Sequence, residues 1–247
     1  MQNFARRARQ TLIGDKAFYK AVLAIIIPVI IQNGISNFVN LLDNLMVGAL
    51  GNEEMSGVAI ANQLVFVFNL CVFGGLSGAG IFGAQFYGAG DIEGLRNTFR
   101  IKLMQSAALL AVTFIVLLGF SRPLISLFLR GDGDAAMAEK MLGFGHEYLM
   151  VILIGLPAFA ISTSYAGTLR ETGETMLPMF ASLAAVFTNL CGNYILIYGH
   201  LGLPALGVRG AAIATVASRF VELFILVFVT HRHKLRFRFI EGAWRSM

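Results

Sequence analysis

An acid among apolar residues is the most chemically loaded feature of this 247-residue sequence. The apolar run from Ala21 to Leu42 is long enough to cross a bilayer, for which about 20 residues suffice, and Asp43 follows it directly. An aspartate at mid-membrane costs about 2.5–3.5 kcal/mol on insertion scales, so one is kept where it faces protein or a wet cavity. The plainer alternative puts Asp43 at the outer mouth of the helix, hydrated among the headgroups. Two carboxamides, Asn189 and Asn193, stand i,i+4 and share one face of another apolar segment. Alone they would bond a neighbouring helix; with Asp43 they would offer roughly three or four oxygens to a small hard cation. A further segment carries Gly210-Ala211-Ala212-Ile213-Ala214-Thr215, a small-residue face with one hydroxyl, and then Arg219 and Glu222. The last two stand i,i+3, a spacing that favours a local ion pair. Other amides inside apolar runs, namely Gln32, Asn33, Asn62 and Gln63, are candidates for lining a polar cavity, and Asn69 and Gln85 also need partners inside a bundle.

The elements that must position these groups are six apolar runs: Ala21–Leu42, Ser56 to about Tyr87, Leu103–Phe120, Tyr148–Leu169, Pro178–Tyr198 and Val208–Thr230. The second is too long for one perpendicular span, so its end projects into the cytoplasm or the helix tilts. The third is expected to end at Ser121-Arg122-Pro123, and the fifth is entered through Gly173 and Pro178. Pro28 and Pro157 lie inside the first and fourth runs. The fold class is therefore all-α: a polytopic membrane protein with six transmembrane helices over residues 21–230. It is flanked by a basic segment, 1–20, and a basic tail, 231–247.

Composition agrees. Hydrophobic residues make up 57% of the chain, charged residues 13%, and the mean hydropathy is +0.73, against about half apolar and a quarter charged for soluble domains. The net charge of +5 does not indicate nucleic acid, because the basic residues flank apolar runs. With a cytoplasmic N-terminus, 14 of the 19 Lys and Arg residues fall on the inside and 4 on the outside. The positive-inside rule then puts both ends in the cytoplasm. The first twenty residues are basic and polar with no cleavage site, so no secretory signal is expected.

Between Gly74 and Gly90, Gly75, Ala79 and Gly83 recur every four residues, as do Gly74 and Gly78. That spacing predicts close helix packing; a phosphate-cradling loop would need a following Lys-Ser/Thr, which is missing. Cys71 and Cys191 lie in apolar segments and read as buried small hydrophobes. His231 and His233 read as surface charge in the basic tail, with no metal site expected there. No nucleophile elbow, His/Cys cluster or carboxylate pair marks an enzyme.

Several of these motifs also occur together in one family. Pro28 with Leu42-Asp43-Asn44-Leu45-Met46-Val47-Gly48, then Gly57-Val58-Ala59-Ile60-Ala61-Asn62-Gln63, and Gly83-Ala84-Gln85-Phe86-Tyr87-Gly88-Ala89-Gly90-Asp91, resemble the multidrug and toxic compound extrusion (MATE) transporters. Gly173 with Pro178, Asn189 to Asn193, and Gly207 with Gly210 to Thr215 continue the resemblance, from about residue 17 to 230. That family has twelve spans in two six-helix lobes related by an axis along the membrane normal, a parallel repeat. This chain resembles the N-terminal lobe and reaches the position of the inter-lobe linker.

The resemblance implies a secondary antiporter, here one half, exporting organic cations or drugs in exchange for Na⁺ or H⁺, with no other cofactor. Pro28 would be the helix-bending proline. Asp43 would bind the coupling ion, with Asn189, Asn193 and Thr215 at the cation site. Some members have an acid where Asn193 stands, so a single carboxylate leaves both Na⁺ and H⁺ open. The expected partners are the lipid bilayer, the exported compound and a second six-helix lobe, in the cytoplasmic membrane of a bacterium or archaeon. The alternatives are a flippase lobe for lipid-linked substrates, which would need cationic cavity residues where Arg219 is the one candidate well inside a span, and a non-transporting lobe that pairs with another membrane protein.

Overall fold

A computed structural model describes residues 15–129, 134–233, 237 and 239–240. Six helices follow one another: α1 (Lys16–Gly48), α2 (Asn52–Gly88), α3 (Ile92–Phe128), α4 (Ala135–Glu171), α5 (Met176–Tyr198) and α6 (Gly207–Arg232). All six are long and apolar enough to cross a membrane. The segments 1–14, 234–236, 238 and 241–247 lie outside the described residues, and with them most of the two expected basic ends. So does Arg130, which the charge count placed outside.

The helices start where their caps are. Asp15, Asp91 and Asp134 each turn a carboxylate onto a backbone N–H of the first turn, at Phe18 (2.7 Å), Gly94 (2.9 Å) and Ala136 (3.0 Å). The cap at Asp134 starts α4 thirteen residues before the expected Tyr148, and the early turns pack Met141 and Gly145 onto α2. At 37 residues, α2, α3 and α4 are each about 55 Å long, well beyond the roughly 30 Å hydrocarbon core.

Pro123 does not end α3, which continues to Phe128. Ile125 beyond it is fully buried and Leu129 nearly so; their burial outweighs the single backbone bond that the proline removes. α1 likewise runs unbroken through Pro28.

α4 is the axis of the bundle. Of its apolar window 61% is buried, against 17% for α1, and it packs against α2, α3 and α6. The α2–α4 crossing is a glycine pair: a Cβ on Gly57 would lie 2.5 Å from the Met141 carbonyl oxygen, and one on Gly145 would lie 2.7 Å from that of Gly57. α5 and α6 approach as closely, since a Cβ on Gly192 would meet Ala214 at 2.8 Å and one on Gly210 the Leu196 carbonyl at 2.5 Å. α1 is joined to the rest mainly through α5.

The glycine row on α2 behaves differently from its expected role. Side chains at Gly74 or Gly78 would meet open space, and one at Gly75 would meet only the Gln105 side chain. Gly80 and Gly83 instead make room for the carboxylate of Glu171. That carboxylate pairs with Lys102, whose ammonium also bonds Thr168 Oγ1 at 3.1 Å. Lys102 is 1% exposed, so it is not the loop charge that its sequence position suggests. Nearby, Phe99, Tyr165 and Leu169 form a cluster with Phe237, Phe239 and Ile240. The described part of the tail therefore packs back on the bundle. His231 belongs to the end of α6 and bonds the Val227 carbonyl at 2.9 Å, and Cys71 is exposed rather than buried.

Candidate cation site between α1, α5 and α6

Asp43 lies near the end of α1, on the side that meets α5 and α6. It is half-buried, and Asn193 Nδ2 donates to its Oδ1 at 2.5 Å. Asn189, one turn earlier on α5, has its amide oriented by its surroundings. With its nitrogen towards Asp43 it donates to Oδ1 at 2.8 Å and Oδ2 at 3.0 Å, and its oxygen accepts from Thr215 Oγ1 at 3.1 Å. The i,i+4 spacing read in the sequence thus puts both amides on one carboxylate. The burial of Asn189 and Asn193, at 5% and 1% exposure, keeps water from competing.

One acceptor in this cluster is unspent. Asn193 Oδ1 is buried with no hydrogen-bond partner, and such groups are rare in folded proteins. Beside the two amide N–H groups, the cluster holds five oxygens: two from the carboxylate, two from the amides and one hydroxyl. Hard oxygen ligands suit Na⁺ as they suit other hard cations, and the same carboxylate can take a proton. No group of three His, Cys, Asp or Glu side chains at metal-binding distance occurs among the described residues.

Asp43 opens onto a cavity of about 450 Å³ between α1, α2, α4 and α6. Asn62 and Gln63 line it as expected, with Asn40, Asn44 and Asn69. Gln32 and Asn33 do not. Gln32 Oε1 accepts from Arg170 Nη2 at 2.9 Å, and Asn33 is exposed. Two further side chains contribute, of which Tyr148 was not singled out from sequence. Tyr148, buried on α4, lines the cavity. Arg219, noted in the sequence for its pairing with Glu222 and as the one candidate cation well inside a span, lines the cavity over the Phe159 ring, 5.0 Å from its centroid. No spacing rule links Tyr148 to Thr215, because α4 and α6 meet only in the folded bundle.

A family model described as MatE matches residues 28–195, most of the chain. The chain belongs to the MatE family. Among curated relatives, a probable multidrug resistance protein NorM of Thermotoga maritima is 30% identical over 234 residues, covering 92% of this chain and 48% of that protein. A probable NorM of Agrobacterium fabrum is 28% identical over 93% of this chain and 49% of its own length. Among solved structures, the outward-facing conformation of a multidrug resistance MATE family transporter superposes with a TM-score of 0.72 at 28% identity, over 87% of this chain and 46% of that one. A MOP superfamily transporter from Pyrococcus furiosus gives 0.71 at 29% identity, over 86% and 45%. The chain spans about half the length of the relatives it matches. Six apolar helices and membership of this transporter family make it an integral membrane protein with the architecture of one MatE lobe.

Proposed function

We propose that this MatE lobe is the cation-coupled half of a secondary antiporter that exports organic, drug-like compounds in exchange for Na⁺ or H⁺. The observation that carries the reading is the Asp43 cluster, a carboxylate held by two amides beside a buried acceptor with no partner, at the edge of a cavity.

The amides supply the switch. While Asp43 is ionised, Asn189 and Asn193 direct N–H groups at it. A bound Na⁺, or a proton on Asp43, reverses the demand: the amide oxygens must then face inward, as ligands to the ion or as acceptors for the carboxyl O–H. Turning Asn193 over engages its spare oxygen, and turning Asn189 over changes its bond to Thr215 on α6. Occupancy of the site thereby alters the ties of α1 to α5, and of α5 to α6.

α1 is the element suited to respond. It is the helix least packed against the rest of the bundle, and Pro28 removes one of its backbone bonds, which eases bending. A cation acts only through its different affinities for the two α1 shapes, and a shift from 1:99 to 99:1 needs about 5.5 kcal/mol. Neutralising one desolvated carboxylate supplies a sizeable part of that. Transport also needs a second six-helix lobe to close the central cavity. The setting is the cytoplasmic membrane of a bacterium or archaeon, with both chain ends inside.

The test is efflux of a fluorescent organic cation from vesicles carrying the chain with its pairing lobe, under imposed Na⁺ and H⁺ gradients. Gradient-driven efflux that disappears in Asp43→Asn is expected. Undiminished coupling in that variant contradicts the assignment.

A further inference from the structure

We infer that Arg170 is the positioning residue of α1: its hydrogen bond to Gln32 holds that helix unbent one turn beyond Pro28, and the bent shape requires that the bond be broken. The inference rests on the antiport reading given above, in which two shapes of α1 exchange, and names the contact that sets their balance.

The buried positions of α1, among its described residues, are Pro28, Gln32, Val39 and Val47. Gln32 is the one of these whose side chain can form hydrogen bonds. On the N-terminal side of Pro28, residues 23–27 are all exposed. Gln32 is therefore the first polar anchor that α1 meets after its hinge. Its Oε1 accepts from Arg170 Nη2 at 2.9 Å. That bond crosses to α4, with which α1 shares few other contacts. The α4 end of the tie is fixed, because Thr168 and Leu169, just before Arg170, are fully buried. A bond donated by a guanidinium is also stronger than one between neutral groups.

The hinge makes this bond responsive. Pro28 cannot donate to the Ala24 carbonyl, so the helix ladder lacks one rung there. Gln32 stands four residues on, a lever of about 6 Å, so a bend of about 30° in the part of α1 that carries Asp43 moves Gln32 by about 3 Å. That displacement parts a hydrogen bond. The Asp43 cluster answers to the ion, whereas the Gln32 tie holds no cation ligand and adds a constant bias to the unbent shape. The guanidinium keeps a donor in reserve as well. Among the described residues, Arg170 Nε is buried without a partner, and Nε and Nη2 form one edge of the fork. A carboxylate in place of the Gln32 amide would fill both N–H groups of that edge, so substitutions at this one residue can weaken the tie or strengthen it.

Distances between spin labels test this in the 247-residue chain in lipid nanodiscs. In a background with Cys71→Ala and Cys191→Ala, Leu41→Cys, beyond the hinge on α1, is labelled and paired in turn with Phe120→Cys on α3 and Phe187→Cys on α5. All three native side chains are exposed. Double electron–electron resonance reads the ratio of bent to unbent α1, with and without NaCl and at high and low pH. Gln32→Leu is expected to raise that ratio about tenfold, Gln32→Glu to lower it, and Arg170→Lys to fall between Gln32→Leu and the unmutated chain. A contact that only supports the fold would lower the melting temperature in both Gln32 variants and leave the ratio where it was. The inference is overturned by that pattern, by a ratio that moves the same way in both variants, or by a single set of distances in every chain. If Gln32→Leu does not fold, the fall in Gln32→Glu and the rise in Arg170→Lys decide in its place. A ratio set by residue 32 yet indifferent to Na⁺, to pH and to Asp43→Asn would keep the tie and remove the antiport reading. A ratio that follows the ion through Asp43 but ignores residue 32 would remove the tie and keep the antiport reading.

Discussion

Asp43 on α1 and Asn193 on α5 are 150 residues apart in sequence and 2.5 Å apart in space. This contact ties the most peripheral helix to the bundle at the place where the sequence keeps its most costly side chain. Asn189 and Thr215 extend the tie to α6, so three helices meet on one carboxylate. The state of that carboxylate is therefore felt by each of them.

Thr215→Val keeps the shape of the side chain and removes the hydroxyl. Asn189 then loses the donor to its amide oxygen, and its orientation towards Asp43 is no longer specified. Cation affinity should fall about tenfold, equivalent to about 1.4 kcal/mol, with the helical content unchanged. Isothermal titration with NaCl at fixed pH, beside circular dichroism, checks both parts; an unaltered affinity would take Thr215 out of the site.

The pair Lys102–Glu171 should behave as a buried ion pair away from the cation site. Breaking it with Lys102→Met alone should destabilise the lobe by about 3–5 kcal/mol, because the Glu171 charge is left uncompensated. The double variant Lys102→Met/Glu171→Gln should recover most of that loss. Thermal unfolding in detergent, run as a double-mutant cycle, measures the coupling, and additive losses would contradict it.

The α2 glycines should divide in two. Gly57→Val forces apart the α2–α4 crossing, where a Cβ already meets backbone, and should cost about 1–3 kcal/mol or more as overpacking. Gly78→Ala faces open space and should stabilise the helix by about 0.5–1 kcal/mol. Melting temperatures of the two variants should move in opposite directions.

The glycines also show where the sequence was legible. Six apolar helices and the face shared by Asn189 and Asn193 follow from local periodicity, and the structure has both. Spacing by four marked Gly74 and Gly78 as contacts, but the close crossing uses Gly57 and Gly145, which belong to no such row. The reason is that a glycine contact needs a facing surface, and that surface is supplied by another helix. The same holds for Lys102. Its neighbours Arg96 and Arg100 make it look like part of a charged loop, and only Glu171, 69 residues on, accounts for its burial. Helix ends were misread where burial overrode a local signal, at Pro123, or where a cap preceded the apolar run, at Asp134. Arg219 was visible as half of a local ion pair and as the one candidate cation well inside a span, whereas its actual place in the cavity depends on how α6 lies against α4.

The cation site itself can be tested most directly by ion-linked stability. A ligand that binds only the folded chain stabilises it by about 2.7 kcal/mol at a hundredfold excess over its dissociation constant. The melting temperature of the lobe in nanodiscs should therefore rise with added NaCl, relative to equal choline chloride, or with falling pH. Which of the two raises it identifies the ion. The rise should vanish in Asp43→Asn while the variant still folds. A rise of the same size in the variant, or none in the unmutated chain under either titration, would contradict a cation site at Asp43.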